Sequence, residues 1–178
     1  LGLGVLGWHT FLQENNIAFE DKEAFELNKE IFKLIEEKAY KASKDLAKEY
    51  GEPELLKGYG RRNTTLLAVA PTTSSAFILG QVSQSIEPVM SNCFVKDVDK
   101  MKVTIKNPTL EALLEEKGFN TSETWNSIRE NDGSVQLLDC LTPHEKKIFR
   151  TFAEIDQKAI IDQASDRQKH IDQSQSLN

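Results

Sequence analysis

Residues 66–80 read Leu-Leu-Ala-Val-Ala-Pro-Thr-Thr-Ser-Ser-Ala-Phe-Ile-Leu-Gly. The apolar run over residues 65–70 is typical of a strand buried in a parallel sheet. Pro71 and the hydroxyl residues after it predict a turn that opens a helix over residues 74–81. A strand, a turn and a helix in this order predict a mixed α/β fold in which ligands bind beyond the carboxyl end of the strand.

The turn is a candidate anion site. The first backbone N–H groups of a helix have no partner within the helix, and they lie at the positive end of its dipole, so they suit a phosphate. The candidate site comprises Pro71, Thr72, Thr73, Ser74 and Ser75. Ser and Thr are also the preferred N-caps of ordinary helices. The residues alone therefore leave two interpretations open, a phosphate site and a simple helix cap.

Most of the remaining chain has helical patterns. Apolar residues at helical spacing predict amphipathic helices over residues 1–13 and 20–50, the second ended by Gly51 and Pro53. The elements predicted after residue 92 are strands 93–98 and 102–105 and helices 110–117, 122–130 and 143–167, the last with a break near Asp156. Thr121 or Ser122 and Thr142 are the expected N-caps. The fold class is therefore helix-rich α/β.

Composition restricts the class of protein. The chain has 178 residues, of which 39% are hydrophobic and 28% charged, and no apolar run approaches the roughly 20 residues of a membrane span. We expect a globular, cytoplasmic protein. The net charge of −6 argues against a general nucleic-acid binder, which needs a basic face. Because the sequence starts with Leu1 rather than Met, we expect it to begin inside a longer protein.

The sulfur and imidazole side chains are scattered. Cys93 and Cys140 are far apart and lack a CxxC or zinc spacing, so we interpret them as packed or incidental thiols. His9, His144 and His170 form no metal spacing either. The sequence therefore predicts no catalytic residue and no metal ligand within this chain.

Several motifs, taken together, resemble one known family. They are Ala-Pro-Thr-Thr-Ser-Ser at 70–75, Gly80, and Ser-Gln-Ser-Ile-Glu-Pro at 83–88. Residues 1–5, 60–66 and 171–178 add support as the family's opening to a barrel helix, its approach to the phosphate strand and its entry into a later strand. The family is the large, catalytic subunit of class I ribonucleotide reductase. The resemblance covers all 178 residues, yet only an internal part of a complete subunit.

The resemblance implies a ten-stranded α/β barrel, of which this chain is a late arc. Residues 1–178 then form one partial catalytic barrel domain, with helices in 1–50, the strand–turn–helix in 64–81, short strands in 92–106 and helices in 108–170. It also implies reduction of ribonucleoside diphosphates by thiyl-radical chemistry, with the turn as the substrate-phosphate site. There Pro71 fixes the turn, the hydroxyl groups of Thr72, Ser74 and Ser75 donate to the diphosphate, and the N–H groups of Thr73, Ser74 and Ser75 complete the anion site.

The resemblance further implies partners that lie outside this chain. They are a small subunit with a radical-generating metal cofactor, thioredoxin or glutaredoxin as reductant, and a second copy of the large subunit; no DNA, no membrane and no cofactor of this segment's own are expected. The family's radical cysteine, redox-active cysteine pair and tyrosine pair have no match here, so the chain alone is not expected to turn over substrate. The alternative is a catalytically inert helical interaction module, or a split-gene fragment that needs complementary fragments.

Overall fold

The computed structural model describes residues 1–98 and 101–177. Residues 99 and 100, within the predicted strand region, and Asn178, at the end of the last family motif, lie outside the described residues. The helices in the described part are α1 (Trp8–Glu14), α2 (Lys22–Tyr50), α3 (Thr73–Ile78), α4 (Pro108–Glu116), α5 (Ser122–Glu130), α6 (Pro143–Ile148) and α7 (Gln157–Gln168), and the strands are β1 (Cys93–Val98) and β2 (Met101–Lys106).

Three extended segments pair in parallel. Leu3 is bridged to Leu67, and Val69 is bridged to Gln175. The Leu3 N–H donates to the Leu66 carbonyl at 2.7 Å, and the Val69 N–H donates to the Ser174 carbonyl at 3.1 Å. The segment around residues 66–69 is therefore the central one, with the parallel pairing that its apolar run predicts. It forms one isolated bridge to each neighbour rather than a continuous strand.

The helix expected over residues 1–13 is wrong for its first half. The Leu3 backbone pairs with Leu66 and Ala68, and α1 begins only at Trp8. A Cβ atom on Gly4 would lie 2.2 Å from the Ala68 carbonyl oxygen, so glycine is needed for this close approach. Of the apolar residues behind the expected spacing, Leu1 and Leu3 are exposed and Val5 packs against the first core, so this segment has no buried helical face.

The long second helix is confirmed. α2 runs over Lys22–Tyr50 and ends at Gly51, which has a φ of +77°. It packs along α7, where the Asn28 side chain donates to the Gln163 carbonyl at 2.9 Å. Phe32 is almost fully buried at this contact. The pair of helices supports the three extended segments through one hydrophobic core.

The second half of the chain builds its own core. β1 and β2 form an antiparallel hairpin, with Cys93 opposite Lys106. α5 and α6 start where their predicted caps, Thr121 and Thr142, place them, whereas α4 starts at Pro108, two residues before its expected start. The side chains of Asn107, Thr121 and Thr142 each accept a backbone N–H from the first turn of their helix. α4, α5 and α6 enclose this core, whose buried members are Ala18, Cys93, Leu110, Leu114, Trp125, Ile128, Val135, Leu138, Leu141, Ile148 and Phe149.

The break expected in the last helix is confirmed and is wider than expected. α6 ends at Ile148, a 3₁₀ turn spans Phe152–Glu154, and α7 begins after Asp156. The Asp156 carboxylate accepts from the Lys158 N–H at 2.9 Å and so caps α7. Across the described parts of the chain, no helix has both the length and the apolar character needed to cross a bilayer.

Candidate functional site

The predicted site residues form one exposed turn at the carboxyl end of the central extended segment. Thr72 is the N-cap of α3 and has a left-handed backbone, with a φ of +54°. Its side chain makes no capping hydrogen bond to α3. Instead, the Thr72 Oγ1 accepts from the Ser85 N–H at 2.8 Å. The simple-cap interpretation of this hydroxyl therefore does not describe the structure.

The first turn of α3 presents three backbone donors. The N–H groups of Thr73, Ser74 and Ser75 precede the first intrahelical hydrogen bond, which runs from the Ala76 N–H to the Thr72 carbonyl at 2.9 Å. Among the described residues none of the three has an acceptor. All three residues are exposed. The turn thus offers a row of N–H donors to solvent, at the end of a helix where a negative charge is favoured.

The four hydroxyl groups of the turn differ in availability. The Thr73 hydroxyl donates to the Gln84 Oε1 at 3.2 Å. The Thr72 oxygen accepts from a backbone N–H, which leaves its proton free to donate. The hydroxyl groups of Ser74 and Ser75 have no partner in the described part of the chain. Three of the four hydroxyls can therefore donate to a ligand, and these are the three that the family resemblance implies.

The arginine pair near the turn in sequence is used elsewhere. Arg62 donates to the carbonyl groups of Tyr50 and Gly51, both at 2.8 Å, and so satisfies the C-terminal end of α2. The Arg61 guanidinium lies over the Tyr40 ring, 5.5 Å from its centroid. A cation that does contact α3 is Lys96, whose Nζ lies 3.7 Å from the centroid of Phe77. In the described part of the chain, the donors at this turn are therefore N–H and O–H groups rather than guanidinium groups.

A cavity of about 350 Å³ lies beside α3. It separates α3 from the 81–91 loop and from the base of the hairpin, and Thr73 belongs both to its lining and to the turn. The apolar side chains in its wall are Ala76, Phe77, Val82, Pro88, Val89, Met90, Phe94 and Ile105. The turn therefore borders an open cavity whose wall is mainly apolar.

Sequence reasoning missed the residue that holds the central segment. The Asp172 carboxylate accepts from the Leu66 N–H at 2.8 Å and from the Leu67 N–H at 2.9 Å. The next side chain, Gln173, donates to the carbonyl groups of Leu1 and Leu67 at 2.7 and 3.1 Å. The signal available in the sequence was the Asp-Gln-Ser-Gln-Ser motif itself, which the family resemblance had marked only as a strand entry.

The three histidines lie in different environments and have different hydrogen-bond partners. His9 is completely buried, and its Nδ1 accepts from the Val89 N–H at 3.0 Å. His144 lies in the first turn of α6, as expected, with its Nε2 3.1 Å from the Asn16 carbonyl oxygen. His170 follows α7 rather than lying on it, and its Nδ1 is 2.8 Å from Glu36. In the described residues no three His, Cys, Asp or Glu side chains come close enough together to hold a metal ion.

The two cysteines are free thiols. Cys93 is buried in the core of the hairpin region, and burial raises the pKa of its thiol. Cys140 is half-buried. A raised pKa keeps a thiol protonated and unreactive at neutral pH. This environment agrees with the interpretation of Cys93 as a packed residue.

The chain is similar to known proteins over its whole length. A family model described as "Ribonucleotide reductase, barrel domain" matches residues 1–56 and 53–178. The ribonucleoside-diphosphate reductase large subunits of Invertebrate iridescent virus 6 and Caenorhabditis elegans are 43% and 35% identical over the whole of this chain, which covers 19% and 26% of their lengths. The solved Actinobacillus ureae class Id ribonucleotide reductase alpha subunit superposes with a TM-score of 0.92 at 58% identity, over all of this chain and 32% of that one. The chain thus spans about a fifth to a third of the length of these relatives.

Proposed function

This chain belongs to the ribonucleotide reductase barrel-domain family, and from that premise we propose that it is the part of a ribonucleoside-diphosphate reductase large subunit that holds the diphosphate of the substrate. The family resemblance and the barrel-segment fold class expected from the sequence are confirmed. The observation that carries the functional proposal is the exposed row of N–H groups at Thr73, Ser74 and Ser75, beside hydroxyls that have protons to donate.

In this proposal the turn binds the diphosphate through many short-range donors. Three N–H groups and the hydroxyls of Thr72, Ser74 and Ser75 surround the anion, and each hydrogen bond to a charged oxygen is stronger than one between neutral groups. α3 has only six residues, so its aligned peptide dipoles add less than a long helix would. Affinity then depends mainly on the individual donors and on the fixed shape of the turn.

The role of this segment in the reaction is to position the substrate. A diphosphate held at one end fixes where the ribose lies, which turns binding energy into rate at a reacting group elsewhere in the large subunit. The reacting cysteine, the reductant-facing cysteines and the contacts to the small subunit belong to other parts of the protein in this proposal. We propose with it three partners: a small subunit with a radical-generating metal cofactor, thioredoxin or glutaredoxin as the reductant, and a second large subunit. A cytoplasmic location is part of the same proposal.

The test removes the two unpaired hydroxyls. In the complete large subunit that carries this chain, the S74A/S75A variant should bind a ribonucleoside diphosphate such as CDP roughly 10- to 100-fold more weakly, because two hydrogen bonds to charged oxygens are lost. Titration calorimetry gives the dissociation constant. Turnover at saturating substrate should fall as well, because a loosely held diphosphate no longer fixes where the ribose lies.

A matched control uses Ser122, an exposed serine in the first turn of α5. The S122A variant loses a similar hydroxyl at a helix start, but at a different helix, and should bind CDP like the unmodified protein. Equal affinity of S74A/S75A and the unmodified protein would contradict the phosphate site. Absence of any diphosphate binding by the unmodified protein would favour the inert interaction module instead.

A further inference from the structure

The loop after α3 is fastened to the start of α1 by four backbone-directed hydrogen bonds. The N–H groups of Gly7 and Trp8 donate to the carbonyl groups of Ser83 and Ser85, at 2.8 and 3.3 Å. Thr10 and Ser83 then exchange a reciprocal pair, in which each hydroxyl oxygen accepts the other residue's N–H, at 3.1 and 2.8 Å. The loop therefore accepts the N–H groups of Gly7, Trp8 and Thr10, which the start of α1 would otherwise leave unpaired. Residues 83–85 thus form a tether between the loop and α1.

The tether, which contacts α1, also contacts the turn at residues 71–75. The Ser85 N–H donates to the Thr72 Oγ1 at 2.8 Å, and the Gln84 Oε1 accepts from the Thr73 hydroxyl at 3.2 Å. The first two hydroxyl residues of the turn are thus both bound by the tether. α1 and the turn do not need to touch, because the tether connects them.

The connection matters because the turn has a strained backbone. Thr72 has a φ of +54°, in the left-handed region that β-branched residues rarely adopt. Such a conformation persists only where surrounding contacts hold it. The hydrogen bond from the Ser85 N–H is a contact of this kind, and it can form only while the tether keeps its place on α1.

The anchor of the tether is buried. Thr10 and Ser83 are 7% and 3% exposed. Loss of either hydroxyl leaves a largely buried backbone N–H without its acceptor. The reciprocal pair therefore fixes the tether more firmly than two hydroxyls on an exposed loop would.

We infer that Thr10 and Ser83 are positioning residues for substrate diphosphate: they hold the tether, which holds the conformation of Thr72 and so aligns the donors of the turn. The inference rests on the proposed function of the turn. Neither residue touches the substrate. Both act through Ser85 and Thr72, and removal of either hydroxyl should loosen the same connection.

The experiment measures the dissociation constant for CDP and the melting temperature of the complete large subunit. T10V and S83A should each weaken CDP binding roughly 5- to 10-fold, which corresponds to the loss of about one neutral hydrogen bond. The double variant should be little worse than either single variant, because both substitutions cut one connection. T10S keeps the hydroxyl and should restore the affinity. If T10V does not fold, S83A with the S83T rescue tests the same connection.

A matched control separates positioning from general destabilisation. Ser43 is also buried, and its hydroxyl accepts from the N–H groups of Arg62 and Asn63, both at 3.1 Å. S43A should lower the melting temperature about as much as S83A while leaving the affinity for CDP unchanged. An affinity unchanged in T10V and S83A, or lowered equally in S43A, would overturn the inference.

The two proposals fail in different ways. If S74A/S75A binds CDP weakly while T10V and S83A bind it normally, the turn binds phosphate and only the positioning role is wrong. If S74A/S75A binds CDP as well as the unmodified protein, the phosphate site itself is wrong.

Discussion

The His9 imidazole is enclosed between α1 and the loop after the tether. It is fully buried, and burial lowers its pKa from 6.5 to about 4. Its Nδ1 must stay unprotonated to accept the Val89 N–H. The uncharged His9 ring therefore helps to fix the end of the 83–89 loop that lies nearest the cavity.

This ring should make stability depend on pH in a defined window. Because its folded pKa is lowered, the unfolded chain binds the proton more readily, so stability is full above pH 6.5 and falls as the pH drops towards 4. The loss reaches roughly 3 kcal/mol at the bottom of that window. In H9N, where an amide oxygen can accept the Val89 N–H without titrating, the fall in melting temperature between pH 7 and pH 4.5 should be much smaller.

The comparison variant is H144N, since His144 is exposed and should leave the pH dependence intact. Thermal unfolding followed by circular dichroism at several pH values gives the measurement. A fall in melting temperature that is the same in H9N and in the unmodified protein would show that other groups cause the acid sensitivity.

At the scale of elements, the central extended segment depends on one carboxylate. Asp172 accepts the N–H groups of Leu66 and Leu67, which have no strand neighbour to bind them on that side. In D172A both amide protons should exchange with solvent at least tenfold faster, and stability should fall by about 1–2 kcal/mol, because two buried backbone donors lose an acceptor. Hydrogen exchange read at these two residues is the direct measurement.

D162A is the matched control for this carboxylate. The Asp162 side chain is 45% exposed and pairs with Lys158 on the same face of α7, and such surface pairs contribute little. It should leave the exchange at Leu66 and Leu67 unchanged. Unaltered exchange in D172A would mean that the parallel bridges, rather than the carboxylate, protect these amides.

The elements also show which parts of the fold a sequence can predict. α4, α5 and α6 carry local start signals, such as Thr142 followed by Pro143, and these signals act through hydrogen bonds within one turn. Residues 1–7 carry no such signal, because their extended form depends on the distant Leu67 and on the close approach of Gly4 to Ala68. The turn at 71–75 was predicted from its own residues. The tether and Asp172 were not, because their roles exist only between segments far apart in sequence.

At the scale of the whole molecule, a buried polar network joins the two cores. Asn92 is completely buried, and its amide donates to the carbonyl groups of Gly133 and Phe149 at 2.9 and 2.8 Å. Its Oδ1 accepts from Asn107 at 2.9 Å, and Asn107 also donates to Gln13 of α1 at 3.0 Å. The network thus runs from α1, in the first core, through the base of the hairpin to the end of α6, in the second.

Loss of Asn92 should therefore affect cooperativity as well as stability. In N92A two buried carbonyl groups and the Asn107 amide lose a partner, so the free energy of unfolding should fall by about 3 kcal/mol or more. The two cores should also begin to unfold in separate transitions, visible as different urea midpoints for amide exchange at Leu66 in the first core and at Leu110 in the second. N126A, at an exposed asparagine of α5 bonded to Arg129, should change neither. A single coincident transition in N92A would show that apolar contact alone couples the cores, since the polar link between α1 and the hairpin would then be dispensable.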